Sequence, residues 1–172
     1  MKLKLVEQIV CPECHTNFSL KIKKKQEDEI IQGTLTCIKK HNFPIIRGIP
    51  RLVSDKQKDF VETEDAFSSK WRHFNKTYHN KKWIENQKKW FLERFGWKTI
   101  SKLNNFLKTR STILDAGTGV GNSAKLFSSN LNAQVFAIDA SESIEFAYKK
   151  YGKIQNIHFL QADIRKLPFK KK

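Results

Sequence analysis

Apolar and polar positions alternate near the start of the chain, and the period then changes twice. In Phe18-Ser-Leu20-Lys-Ile22 every second residue is apolar, and Ile30-Ile31 and Thr34-Leu35-Thr36 flank Gly33 in short extended stretches. A period of two belongs to strands with one buried face, so this segment predicts short strands around turns. From Phe67 the period becomes helical. Phe67, Trp71, Phe74 and Tyr78 step by 4, 3 and 4, Trp83, Trp90 and Trp97 step by 7 with Phe91 and Phe95 nearby, and Ile100, Leu103, Phe106 and Leu107 continue the pattern. That spacing predicts a packed helix face. Rings among Lys, Arg and His would also suit base stacking. The period then shortens again. Thr112–Leu114 is a buried strand, Asn122–Phe127 starts a helix, and Leu131–Ile138 is a second strand. Ser141–Tyr151 is a second helix with Ile144, Ala147 and Tyr148 on one side, and Ile157–Leu160 is a third strand. The order β-α-β-α-β predicts an α/β fold with a parallel sheet, whose ligands bind beyond the carboxyl ends of the strands.

The cysteines add a metal to the first segment. Cys11-Pro-Glu-Cys14 is a C-x2-C knuckle and Cys37-Ile-Lys-Lys-His41 is a C-x3-H pair. Three thiolates and one imidazole fill all four positions around a tetrahedral ion and leave none for a catalytic water, so the expected site is structural zinc. A segment this small needs such a staple, because it lacks the apolar residues for a core of its own. His15 is the alternative fourth ligand, though it would crowd its own knuckle.

The stretch Ile113-Leu-Asp115-Ala116-Gly117-Thr118-Gly119-Val-Gly121 joins a strand end to a turn with three glycines. A dinucleotide fingerprint, G-x-G-x-x-G, would need a glycine where Asn122 stands. A carboxylate at the mouth of the turn would repel a pyrophosphate and attract a cation, such as the α-ammonium of a methionine moiety. Asp139 ends the second strand, where it can accept from both ribose hydroxyls. Asp163 ends the third strand and could accept from the exocyclic amine of adenine. Glycine at 117 and 119 lets a ligand chain lie on the backbone. Three acceptors on three successive strand ends fit one ligand, S-adenosylmethionine. His158 is assigned no role and is expected to face solvent or the sheet edge.

Two resemblances follow from these motifs. ILDAGTGVG, AIDAS and QADIRKLPF resemble the first three motifs of class I S-adenosylmethionine-dependent methyltransferases, most of all the group that methylates ubiquinone and small molecules. The resemblance implies a Rossmann-like sheet with cofactor contacts at Asp115, Ala116, Gly117, Thr118, Gly119, Gly121, Asp139, Ala140, Ala162, Asp163 and Ile164. It also implies that the aromatic helices form a lid over cofactor and substrate. Phe43-Pro-Ile-Ile-Arg-Gly-Ile-Pro50, following the Cys37/His41 pair, resembles the closing stretch of the zinc ribbon shared with small activator proteins of tRNA and translation-factor methyltransferases. Many members carry a cysteine where His41 stands.

The expected organisation is a zinc ribbon over residues 1–53, a helical lid segment over 54–110 that opens with the polar Ser54–Asp59, and the first three strands of the cofactor domain over 111–172. Relatives continue beyond the L-P-F motif with a fourth strand and about half the sheet, so the sequence predicts a truncated chain with its first strand at an open edge, suited to a partner chain. The acceptor is a small molecule or RNA, and catalytic residues are not identifiable. Ribosomal or transfer RNA is one alternative target, since the 172 residues hold 33 Lys+Arg against 17 Asp+Glu, a formal charge of +16. Such a field favours polyanions, although the lysines are scattered along the chain. A non-catalytic zinc-ribbon adaptor with a vestigial cofactor domain is the other alternative. No stretch has the roughly 20 apolar residues of a membrane helix, so a cytoplasmic location is expected.

Overall fold

The computed structural model of the chain describes residues 1–53 and 80–170. The stripe from Phe67 to Tyr78 and the Ser54–Asp59 linker lie outside the described residues. The alternating segment forms a short helix and a meander: α1 (Leu5–Gln8), β1 (Phe18–Gln26), β2 (Glu29–Cys37), β3 (Asn42–Ile46) and β4 (Ile49–Leu52). The first two strands run well past the stretches the alternation marks. β1 pairs with β2, β2 with β3 and β3 with β4, each antiparallel. The two-residue link between β3 and β4 is Arg47-Gly48, with φ of 51° and 81°. Positive φ at both central residues is the turn geometry that matches the twist of paired strands.

The helical period produces α2 (Lys81–Arg94) and α3 (Ile100–Lys108). Asn80 caps α2 by accepting from the Lys82 backbone N–H at 2.9 Å, and Thr99 caps α3 by accepting from that of Lys102 at 3.3 Å. α3 buries Leu103 and Leu107, whereas α2 has no fully buried residue among those described. Phe91 of α2 meets Phe127 edge-on at 5.5 Å, and Trp97, beyond the end of α2, packs on Phe106 at 4.7 Å.

The last third alternates as expected: β5 (Thr112–Ala116), α4 (Asn122–Phe127), β6 (Gln134–Asp139), α5 (Ser143–Tyr151) and β7 (Ile157–Ala162). β6 starts at Gln134 because Leu131 sits in the preceding turn, 80% exposed. β5–β6 and β6–β7 are parallel. The ribbon does not stand apart from this sheet. β4 pairs in parallel with β7, aligning Arg51 with Gln161 and Leu52 with Ala162. The result is one seven-stranded sheet in the order β1-β2-β3-β4-β7-β6-β5. β5 ends the order, as expected, and Leu114 there is 40% exposed.

One face of the sheet carries Val135, Ala137, Ile157 and Phe159 against Ala124 of α4 and Ile144 and Ala147 of α5, joined by Ile49 of β4. The other carries Phe136, Ile138, Leu160 and Ala162 against Leu5 and Ile9, with Leu35, Ile45, Leu52, Cys11 and Cys37 in the same cluster. Burying each such aliphatic side chain contributes about 2 kcal/mol. β4 therefore supplies one apolar residue to each face, as an internal strand must. His158 departs from expectation for the same reason. β7 lies between β4 and β6, so His158 is buried at 5% exposure instead of facing solvent or an edge. Its ring stacks on Phe136 at 5.2 Å, and its Nε2 pairs with Gln134 Oε1 at 2.7 Å.

Candidate functional site

The first site is built on two turns of the ribbon. Cys11 and Cys14 flank a turn closed by the His15 N–H donating to the Cys11 carbonyl at 2.8 Å. Cys37 and His41 flank another, closed by the Lys40 N–H donating to the Cys37 carbonyl at 2.8 Å. Lys40 takes φ of 61° to turn the chain back, and the His41 backbone N–H donates to Cys37 Sγ at 3.3 Å. The four ligand atoms all lie within 4.8 Å of one another. His41 Nδ1 is 3.4 Å from both Cys11 Sγ and Cys37 Sγ, and Cys14 Sγ is 3.5 Å from Cys37 Sγ. Tetrahedral zinc with Zn–S near 2.3 Å needs about 3.8 Å between sulfurs, so the four residues fit one ion with little adjustment. His15 is exposed and outside the cluster, whereas His41 lies within it. Burial pushes the Cys11 thiol up to about 12, while the Thr16 hydroxyl, 3.2 Å from Cys14 Sγ, brings that thiol down to about 6.

The second site lies at the carboxyl ends of β5, β6 and β7. Asp115 and Ala116 end β5, Asp139 ends β6 with Ala140 behind it, and Ala162 ends β7 just before Asp163 and Ile164. The Gly117 and Thr118 N–H groups both donate to the Ile138 carbonyl at 2.9 Å, which ties the glycine turn to β6. The glycines divide the work. Gly117 has φ of 78°, and a Cβ there would meet open space. Gly121 has φ of 82°, and a Cβ there would sit 3.0 Å from the Ala147 Cβ and 3.1 Å from the Tyr151 Cδ2. Its missing side chain lets the turn pack on α5, a role apart from any ligand.

All three carboxylates have protein partners. Asp115 Oδ2 accepts from the Thr118 hydroxyl at 2.6 Å, and burial raises its pKa above the usual carboxylate range. Asp139 Oδ2 accepts from the Gly119 N–H at 2.8 Å, and its Oδ1 from the Ser141 N–H at 2.9 Å and hydroxyl at 2.7 Å. Asp163, only 4% exposed, accepts from the Arg165 N–H at 2.8 Å, from Nε at 3.1 and 3.0 Å, and from Nη2 at 2.8 Å. Burial alone would raise the Asp163 pKa, but the Arg165 donors outweigh it and hold the carboxyl below its ordinary value. Carboxylates accept more than one donor per oxygen, so Asp115 and Asp139 keep acceptor capacity for a ligand, whereas both oxygens of Asp163 are already engaged by Arg165, whose side chain is 61% exposed. Sequence reasoning missed Ser141, Arg165 and Gln161. The first two stand two residues from an aspartate, the short-range pattern of Asx-type turns; Gln161 carries no such local signal. A separate cleft of about 350 Å³ between α2, α3 and α4 touches Asn122, and none of the three carboxylates lines it.

Comparison with known proteins bears on both halves of the chain. A family described as "Methyltransferase domain" matches residues 113–172. A UPF0434 protein of Blochmanniella pennsylvanica (strain BPEN) is 36% identical over 62 residues, which is 36% of this chain and 98% of that protein. Among solved structures, a SAM dependent methyltransferase from Aquifex aeolicus is 28% identical over 40% of this chain and 40% of its own, with a TM-score of 0.35. The plantazolicin methyltransferase BpumL, solved in complex with a monoazolic desmethylPZN analog and SAH, is 21% identical over 62% of this chain and 42% of its own, also with a TM-score of 0.35. The chain thus spans about two fifths of the length of these solved structures.

Proposed function

We propose, for a chain that belongs to the UPF0434 family through its N-terminal part and carries a methyltransferase domain over residues 113–172, that its strand-end crevice binds S-adenosylmethionine for methyl transfer and that the ribbon holds a structural zinc ion. One observation carries the reading: Asp115, Asp139 and Asp163 cap three adjacent parallel strands around a glycine turn that is tied to the middle one. The bound cofactor would supply an electrophilic methyl group on a sulfonium, and what the protein adds is placement of the acceptor in line with it.

The donor chemistry of the crevice fits such a ligand. Asp115, at the mouth of the turn, would take the α-ammonium, and the cation would draw its raised pKa back down. Asp139 would accept from the ribose hydroxyls, with Ser141 and the Gly119 N–H holding it in orientation. Asp163, kept ionised by Arg165, would accept from the adenine amine once the exposed Arg165 side chain gives up one of its contacts. Ala116, Gly117, Thr118, Ala140, Ala162 and Ile164 would form the walls, the open face of Gly117 leaving room for the ligand. The methyl acceptor is a small molecule on this reading.

Calorimetric titration of S-adenosylmethionine into the zinc-loaded chain tests it. Micromolar binding is expected, weakened at least about tenfold in Asp139→Ala, the cost of one good hydrogen-bonding group. A folded, monodisperse wild-type sample that takes no cofactor would sink the proposal.

A further inference from the structure

The alignment of β4 with β7 puts three polar residues in one row across the sheet. Arg51 of β4 stands opposite Gln161 of β7, and Gln161 stands opposite Asp139 of β6. Their side chains form a chain of bonds. Arg51 Nη1 donates to Gln161 Oε1 at 3.1 Å, and Gln161 Nε2 donates to the Ala140 carbonyl at 2.8 Å. The amide is used at both ends with an unambiguous sense, since the flipped form would set NH2 against a guanidinium and oxygen against a carbonyl. Arg51 is itself fixed. Its Nη2 contacts Glu145 of α5, and also donates to the Ile46 carbonyl at 3.3 Å. Burial pushes the Glu145 carboxyl up, but Arg47 and Arg51 outweigh it and hold its pKa below the usual range, so this partner stays charged. The Arg51 side chain is 12% exposed, and its Nε is buried with no partner among the described residues. An orphaned donor costs stability, so the guanidinium sits here for what its Nη atoms hold.

Beyond Ala140 the path continues into the crevice. Asp139, the preceding residue, accepts from the Gly119 N–H of the glycine turn and from Ser141. A bonded route therefore runs from the ribbon strand, through Gln161 and the β6 loop, to the turn after β5.

We propose that Arg51 and Gln161 are positioning residues: they form a relay by which the ribbon fixes the Asp139–Ser141 loop against the glycine turn and so sets the width of the strand-end crevice. The geometry of the relay stands without the cofactor, while its consequence for affinity rests on the S-adenosylmethionine reading above. Neither residue would touch the reacting atoms.

Two readouts on the full zinc-loaded chain separate these claims. The first is amide hydrogen exchange without cofactor. Arg51→Leu and Gln161→Leu should each speed exchange at Gly119 and Ser141 about tenfold, the loss of one buried hydrogen bond, while Val135 near the start of β6 keeps its protection. The double variant should exchange no faster than either single one, because members of one bonded path are not additive. Arg51→Lys, which keeps a donor for Gln161, should restore part of the protection. Arg47→Ala, which removes the exposed partner of the same Glu145, should change nothing at Gly119. The second readout is S-adenosylmethionine affinity, expected to fall about tenfold in each leucine variant with the same lack of additivity. Unchanged exchange at Gly119 and Ser141 in both leucine variants, or two single effects that add, would overturn the relay. Altered exchange in a wild-type background that binds no cofactor would uphold the relay and remove the cofactor reading alone.

Discussion

His158 shows how far a single side chain can depart from its sequence appearance. Burial, and then the nearby Lys2 ammonium, bring its pKa down to about 4 from an ordinary 6.5. The folded state keeps the ring neutral, whereas the unfolded chain protonates it near 6.5. The unfolded state therefore binds more protons between pH 6.5 and 4, and this residue's contribution to stability falls as pH drops through that window. The carboxylates of Glu145 and Asp163, held below their usual range, lose stability in the same direction, but at lower pH. Denaturant melts at pH 7 and pH 5 should show wild type losing about 1–2 kcal/mol more than His158→Phe across that step; equal losses would mean the ring is solvated. Gly48 offers a second test at this scale. Its φ is 81°, and a Cβ would come within 2.7 Å of the Tyr148 ring carbon bearing the hydroxyl, a group bonded to Glu29. Gly48→Ala should cost more than the ordinary 1 kcal/mol of a left-handed alanine, read as a lowered melting midpoint that Gly48→Ala with Tyr148→Phe does not recover unless the clash is confined to the hydroxyl.

At the scale of elements, the parts legible from sequence are those set by local spacing. The C-x2-C and C-x3-H pairs each sit on one turn, so their spacing alone suggests two halves of a candidate metal site, and the sequence preference for His41 over His15 agrees with the cluster that the fold brings together. The strand ends carrying Asp115, Asp139 and Asp163 follow from period and glycine placement. The pairing of β4 with β7 has no such signal, because 110 positions separate Arg51 from Gln161 and a short strand of Ile-Pro-Arg-Leu carries no record of its partner. Asn156 is another long-range device that looks like loop filler in the sequence. Its buried Nδ2 lies 3.2, 2.9 and 3.0 Å from the carbonyls of Ser128, Asn130 and Ala133, so it clamps the link from α4 to β6 from a turn before β7. Asn156→Ala should destabilise by about 1–3 kcal/mol, since it leaves buried carbonyls unpaired. Asn156→Asp should be worse, because it replaces the donor with a charge facing three acceptors. An aspartate variant as stable as the alanine one would show that water reaches the clamp.

For the whole molecule the continuous sheet makes metal binding a global matter. Cys11 and Cys37 belong to the same buried cluster as Phe136, Ile138, Leu160 and Ala162, and β4 closes one side of β7. Among the described residues no helix is long and apolar enough to cross a membrane. The shared core and the pairing of β4 with β7 bind the ribbon to the parallel strands. A structural zinc ion binds the folded ribbon far better than the unfolded chain, so its binding energy is folding energy. If the two parts were linked only by a tether, a chelator would melt the ribbon and leave β5–β7 intact. With β4 and the cluster in common, loss of the ribbon uncovers one edge of β7 and one face of Leu160 and Ala162, and both segments should fail together. Scanning calorimetry of the zinc-loaded chain should show one transition that chelation moves down by tens of degrees, as expected when several kcal/mol of linkage act on a chain of this size. Circular dichroism at the aromatic bands and hydrogen exchange at Ile138 and Leu160 should follow the same midpoint. Two separated transitions, with Ile138 still protected after the ribbon has melted, would show that the parallel strands stand without their zinc-bearing neighbour.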